Sequence, residues 1–277
     1  MKAGIATIAL RRYDVFHALD LAAEAGFEGI EIWGKPPHTP EEFDEEFERG
    51  VRRRIKENGL RVSMFGSYVN AASADWQQKA ADALATAKIL KAPIIRVWAG
   101  NREPREADED LWMQVTRCLH EFALQAADEG VSLAMEMHKG TLAATPEGVC
   151  RMIEQAGAPG IKLNYQVIDP LEPDLERAIG MVGEFVVNVH AQNYRPTRRE
   201  EGGVELCLIE EGIIDYDRVL TLLAGHGFRG FVEVEFLKGE KDSEHTMLDS
   251  LKRDAAYLKS LVAKHAASGG VGERAAV

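Results

Sequence analysis

The chain has 277 residues, 45% of them hydrophobic, enough to bury the core of one large domain and too many for wholesale disorder. Its 45 Asp and Glu against 33 Lys and Arg leave a formal charge of −12, which argues against a nucleic-acid backbone or an anionic membrane as the main partner. Three scattered cysteines, a short apolar start and no stretch able to span a bilayer lead to the expectation of a soluble, cytoplasmic protein with reduced thiols.

Short apolar runs alternate with longer amphipathic ones from end to end. A strand predicted at 3–10 leads to a helix at 13–25, a strand at 28–34 to a helix at 40–58, and a strand at 60–66 to a helix at 74–90. The pattern continues as 93–100 with 107–129, 131–138 with 145–157, 160–166 with 173–182, 184–191 with 214–226, and 230–236 with 243–265. Strict alternation implies parallel strands and right-handed crossovers. Eight such units in roughly 250 residues are the pattern of a single (β/α)8 TIM barrel, here over 1–266. The segment 267–277 is expected to be a disordered tail. No Gly-rich phosphate turn follows the first strand, which speaks against a dinucleotide-binding open sheet.

Two connections are unusual. The one after the second strand, GKPPHTPEEFDEEFE, opens a strongly acidic helix and is most simply a solvated face. The one after the seventh strand, QNYRPTRREEGGVELCLIEEGIID, is long enough to be functional and lies on the side where barrels keep their active sites.

In a barrel, alternate residues of each strand face the lumen. In VSLAMEMHKG (131–140) the odd positions are apolar, so Glu136 and His138 point inward. The same parity points Asn164 and Gln166, Asn188 and His190, and Glu233 and Glu235 inward from the three following strands. Arg96 and Trp98, and Glu31 and Trp33, join them from two earlier strands. Glu136, Gln166, His190 and Glu235 therefore converge near the strand ends, a donor set for a hard or borderline divalent cation such as Mn2+, Mg2+ or Co2+. Glu233, one pleat deeper, is expected to be the buried partner of Arg96 or Lys162. Trp33 and Trp98, taken singly, read as core packing.

With these residues placed, the chain resembles the xylose-isomerase-like barrels, a group that includes ketose 3-epimerases, hydroxypyruvate isomerase and inosose dehydratase. The resemblance rests on GFEGIEIW (26–33), APIIRVWAG (92–100), AMEMHKGTLAATPE (134–147), VVNVHAQN (186–193), EGIIDY (211–216) and GFRGFVEVE (227–235). It implies Glu136, His190 and Glu235 as ligands of one metal ion, with Mn2+ the first expectation. Gln166 stands where the family has an Asp, and Asp169 is an alternative fourth ligand. Two carboxylates balance a divalent cation, so this site is expected to bind metal less tightly and polarise a carbonyl more strongly than one with three.

The resemblance further implies an isomerase or epimerase working through an enediolate, with Glu136 and Glu235 as the acid–base pair. Arg96, His138, Trp33, Trp98, Gln192 and Arg195 are assigned to the substrate, an unphosphorylated sugar, keto-sugar or cyclitol. A lyase or dehydratase using the same metal is the second expectation, and a catalytically silent barrel the third. The expected partners are a small carbohydrate and further copies of the chain, as a dimer or tetramer, or a partner subunit.

Overall fold

The computed structural model describes residues 1–41, 44–171, 174–197 and 203–268. The tail expected after Ala266 lies outside these residues from position 269 on, and the described chain remains helical through Ser268. Among the described residues, no helix is long and apolar enough to cross a membrane.

Local sequence explains where the helices begin. Asp14, Asp44, Asp108, Asp174 and Asp215 each accept a hydrogen bond from the backbone amide three residues on, and Thr145 does the same for Gly148. These caps satisfy amides that have no intrahelical partner and start α1 (Val15–Ala25), α2 (Glu45–Glu57), α4 (Glu109–Asp128), α6 (Leu175–Val182), α7 (Tyr216–Gly225) and α5 (Pro146–Ala156). The remaining helices are α3 (Trp76–Leu90) and α8 (Glu244–Ser268).

The strands are β1 (Lys2–Ala6), β2 (Gly29–Trp33), β3 (Arg61–Asn70), β4 (Ile94–Trp98), β5 (Ser132–Glu136), β6 (Ile161–Tyr165), β7 (Val186–Ala191) and β10 (Phe231–Val234). They pair in parallel and close in the order β1-β10-β7-β6-β5-β4-β3-β2, the predicted (β/α)8 barrel. The helix-facing set includes Ile5, Ile30, Ile95, Leu133, Leu163, Val189 and Val232, each fully buried. Each fully buried side chain of this kind contributes about 1.5–3 kcal/mol relative to exposure, so this shell holds the strands while the lumen carries polar groups.

Besides the extension of β3 through Asn70, two departures from the sequence reading shape the mouth of the barrel. The first strand stops at Ala6, because the Thr7 hydroxyl accepts the Trp33 amide at 2.9 Å and meets His38 Nδ1 at 2.8 Å. That use of the side chain turns Thr7–Leu10 into a single helical turn. His38, in the acidic connection after β2, is therefore buried, and burial lowers its pKa. The long connection after β7 forms an antiparallel hairpin, β8 (Asn193–Pro196) with β9 (Val204–Cys207), whose residues 198–202 lie outside the described set.

Candidate active site

The polar lumen is layered. In the deeper layer Glu233 lies over Gly4, where an added Cβ would stand 2.8 Å from its Oε1. Ser63 donates to Glu233 Oε1 at 2.6 Å, and Asn188 Nδ2 donates to Oε2 at 2.7 Å and reaches Asn164 Oδ1 at 3.1 Å. The expected pairing of Glu233 with Arg96 or Lys162 is thus corrected. In the closed strand order β4 lies opposite β10, and Arg96 is already engaged by other carboxylates.

Nearer the strand ends, four side chains close a circuit. Arg96 donates through Nε to Glu31 Oε1 at 2.9 Å and through a terminal nitrogen to Glu136 Oε2. Glu31 Oε2 meets His190 Nε2 at 2.5 Å, and His190 Nδ1 lies 3.3 Å from Glu136 Oε1. Glu235 Oε1 is 3.4 Å from the same nitrogen. Gly66 makes the circuit possible, since a Cβ there would stand 2.1 Å from Glu31 Oε1. Ala134, paired in register with Arg96, likewise leaves room.

All of these groups are buried, and their charges set one another. Burial opposes ionisation of Glu136, but Arg96 and His190 outweigh it and hold the carboxyl down at about 2. Glu31 is also lowered, by Arg96 and His190 against burial. His190 is raised well above 6.5, because Glu235 and Glu31 overcome the burial that favours neutral imidazole. Glu233 is pushed up to about 7 by burial and by the charge of Glu31.

Hydrogen-bond accounting separates a metal site from a structural network. Glu136, His190 and Glu235 present ligand atoms within 4.8 Å of one another, and so do Glu31, His190 and Glu233. The carboxylates of the second group are fully engaged. In the first, Glu136 Oε1, His190 Nδ1 and Glu235 Oε2 are buried with no hydrogen-bond partner. Buried polar atoms are rarely left so, because each costs about 1–3 kcal/mol. Separations of 3.3 and 3.4 Å agree with the roughly 3.0–3.4 Å expected of donors bound at about 2.1 Å to one cation. Two carboxylates and an imidazole suit a divalent ion, and the residues present fit it.

The other expected site residues divide. Gln166 lies one pleat beyond Asn164, the register partner of Glu136. Its Nε2 donates to the Met137 carbonyl at 2.7 Å, and its Oε1 accepts from Gln192 at 2.8 Å. Gln192 in turn accepts from the Tyr194 hydroxyl at 2.7 Å. Asp169 is exposed, its carboxylate bound to the Leu171 amide, and takes no part in the cluster. Arg195 points along the hairpin to Glu205 at 2.7 Å. His138 is half-buried at the mouth, edge-on to Trp98 at 4.8 Å. Its Nδ1 donates to the Lys139 carbonyl at 2.6 Å, which leaves Nε2 as the basic nitrogen. Trp98 Nε1 has no partner, whereas Trp33 Nε1 donates to the Tyr68 hydroxyl at 2.7 Å. His138, Gln166, Gln192 and Tyr194 line a cavity of about 300 Å³.

Sequence parity placed Glu31 in the lumen without giving it a role, and it missed Ser63, Tyr68 and Tyr194. Tyr68 belongs to a stretch of β3 beyond the predicted strand end, and Tyr194 to a hairpin read as a loop. Neither carried a periodic signal.

Comparison with known proteins agrees with this architecture. The family described as xylose isomerase-like TIM barrel matches residues 19–261. A curated relative, a 3-dehydroshikimate dehydratase of Bacillus anthracis, is 22% identical over 245 residues, covering 79% of this chain and 86% of the relative. The crystal structure of the probable 3-dehydroshikimate dehydratase AsbF of Bacillus anthracis superposes with a TM-score of 0.78 at 21% identity, over 93% of this chain and 98% of that one. A xylose isomerase-like TIM barrel protein of Mycobacterium smegmatis, solved in complex with magnesium, gives 0.74 at 15% identity, over 95% and 97%. At these identities the structural likeness establishes the fold alone. The family match covers most of the chain, and the protein belongs to the xylose isomerase-like TIM barrel family.

Proposed function

We propose that the protein is a divalent-metal-dependent lyase that removes water from an unphosphorylated, polyhydroxylated ketone. One observation carries the reading. Glu136 is tied to Arg96 and held at about 2, which suits a permanent anion and makes a weak base, while His138 keeps Nε2 free at the cavity. With Glu235 among the cation's ligands, the base at the cavity is then His138 rather than a Glu136–Glu235 pair. The dehydratase relative supports this choice, and the magnesium-bound relative supports a metal in such a barrel.

Glu136, His190 and Glu235 would hold the cation, with Gln166 beside them. A bound divalent ion, Mn2+ or Mg2+, supplies Lewis-acid polarisation of the substrate carbonyl. His138 Nε2 takes the proton from the carbon next to that carbonyl. The electron pair of the broken C–H bond becomes the new carbon–carbon double bond, and the hydroxyl on the β carbon departs. It takes back the proton carried by the His138 imidazolium, so that water is the only by-product. Gln192 lines the cavity as a hydrogen-bonding group for substrate oxygens, and Trp98, edge-on to His138, keeps a buried Nε1 without a partner.

Isomerisation or epimerisation is the second reading, favoured by the two carboxylates, Glu136 and Glu235, that each turn Oε1 toward His190 Nδ1 at 3.3 and 3.4 Å. The deciding experiment incubates the full chain with 3-dehydroshikimate and with a panel of keto-sugars and cyclitols, with Mn2+, with Mg2+ and with chelator. Metal-dependent loss of water from the cyclic ketone supports the lyase. Interconversion of sugars without loss of water supports the isomerase, and turnover unaffected by chelator refutes both.

A further inference from the structure

We infer that Glu31 is a positioning residue that decides which nitrogen of His190 faces the metal, and that Arg96 links it to the same choice in Glu136. This rests on the metal-site reading above. It follows from the closed circuit of side chains, in which His190 and Glu136 each have one atom engaged from behind and one left open. Glu31 Oε2 meets His190 Nε2 at 2.5 Å, and His190 Nδ1 has no hydrogen-bond partner. Arg96 binds Glu136 Oε2, and Glu136 Oε1 has none. The unengaged atoms are the pair that face each other at 3.3 Å.

The physical reason lies in imidazole itself. A ring nitrogen that binds a cation must carry a lone pair, so the proton must sit on the other one. A carboxylate can only accept, so Glu31 selects the tautomer with the proton on Nε2 and leaves the Nδ1 lone pair for the cation. Glu31 is itself fixed by the Arg96 Nε donor at 2.9 Å and by the space at Gly66. With Arg96 joining Glu31 to Glu136, the two ligands are oriented by one rigid unit rather than by separate contacts.

Glu31→Gln is the informative change because it preserves shape. Its amide has one acceptor oxygen for two donors, Arg96 Nε and His190 Nε2. If the oxygen stays with Arg96, the amide nitrogen faces Nε2 as a donor and favours the proton on Nδ1, which closes the lone pair intended for metal. Two measurements test this on the full chain, with Zn2+ as the probe because it is diamagnetic. Calorimetric titration should give a Zn2+ affinity roughly 10–100-fold weaker in Glu31→Gln than in the wild type. Nitrogen-15 correlation spectra of the Zn2+-loaded wild type, with the His190 signal identified by its loss in His190→Asn, should show the proton on Nε2 and the metal on Nδ1.

A Glu31→Gln affinity within twofold of the wild type, in a folded variant, overturns the inference while leaving the metal site standing. Absence of Zn2+ uptake by the wild type itself overturns the metal site and this inference together. Should Glu31→Gln not fold, the wild-type spectrum decides alone, and a proton on Nδ1 with Nε2 bound to Zn2+ is the overturning result. A purely structural role for Glu31 would lower the melting temperature of the metal-free variant without changing its Zn2+ affinity.

Discussion

Glu233 and Glu235 lie two residues apart, face one lumen and meet opposite treatment. Glu233 has both oxygens hydrogen-bonded, by Ser63 and Asn188, and holds its proton up to about 7. Glu235 keeps Oε2 without a partner, and its Oε1 lies 3.4 Å from a His190 nitrogen that also lacks one. In the deeper layer both carboxylate oxygens of Glu233 are satisfied, and the one open atom of the network described, Asn164 Nδ2, is an amide donor that cannot ligate a cation. The layer above it is unfinished, and its open atoms converge. Residue types alone do not distinguish a site from a support; the state of their hydrogen bonds does.

The contrast predicts how each layer breaks, starting from its largest effect. Glu235→Gln removes one of the two carboxylates that balance the cation, and turnover should fall by roughly 10²–10⁴ with loss of bound metal. Elemental analysis of the variant alongside its kcat checks both halves. A variant with full metal content and normal rate would erase the distinction between the layers.

His138→Asn sharpens the comparison from the mouth. It should cost a similar factor, roughly 10²–10⁴ in kcat, while metal affinity stays within a few-fold of the wild type, because His138 is outside the ligand cluster. Single-turnover kinetics together with a metal titration would show it. Equal loss of metal would instead make His138 a ligand.

The deeper layer should answer to pH rather than to metal. Glu233 is raised from 4.5 to about 7, so between those values the folded chain keeps a proton that the unfolded chain has lost. Glu233 should therefore contribute about 3 kcal/mol or less to the stability of the metal-free protein that is lost as pH rises from about 4.5 to about 7, with Asp254 and His190, both raised, adding losses of the same sign. In Glu233→Gln the slope should become shallower by that contribution, with the part carried by Asp254 remaining and activity changed only a few-fold. Denaturant unfolding at stepped pH in chelator measures it, and an unchanged slope would mean that another group carries the proton.

The smallest effect is expected at Gln166→Asp. A third carboxylate beside Glu136 and Glu235 should tighten metal binding, on the order of tenfold, through Coulomb attraction at short range. It should also slow turnover several-fold, since the added charge weakens polarisation of the substrate carbonyl, and it gives up the bonds to Met137 and Gln192. Faster turnover with tighter metal would contradict the charge balance assigned to this site.

The barrel itself was legible in the sequence because its causes are local. Alternating apolar residues mark strands, amphipathic stretches mark helices, and Asp14, Asp44, Asp108, Asp174 and Asp215 stand where helices start. The inward parity of Glu136, Gln166, His190 and Glu235 follows from the pleat and could be read one strand at a time. Partnership could not be read that way. Glu233 was assigned to a cation on charge alone, yet closure of the barrel put β4 across the lumen from it and supplied an amide and a hydroxyl instead. The turn at Thr7 and the hairpin after β7 were missed for a similar reason, since each depends on a segment distant in sequence or on pairing within a long connection.

Sequence by itself determined which residues enter the lumen, because a strand alternates its faces whatever surrounds it. Only the tertiary structure decided what each of them does there. The stagger of eight strands set Glu31 against His190 and Arg96 against Glu136, and Gly4 and Gly66 gave the carboxylates room to cross. Hydrogen-bond satisfaction is a property of three-dimensional neighbours, so the open atoms of Glu136, His190 and Glu235 became visible only once those neighbours were in place.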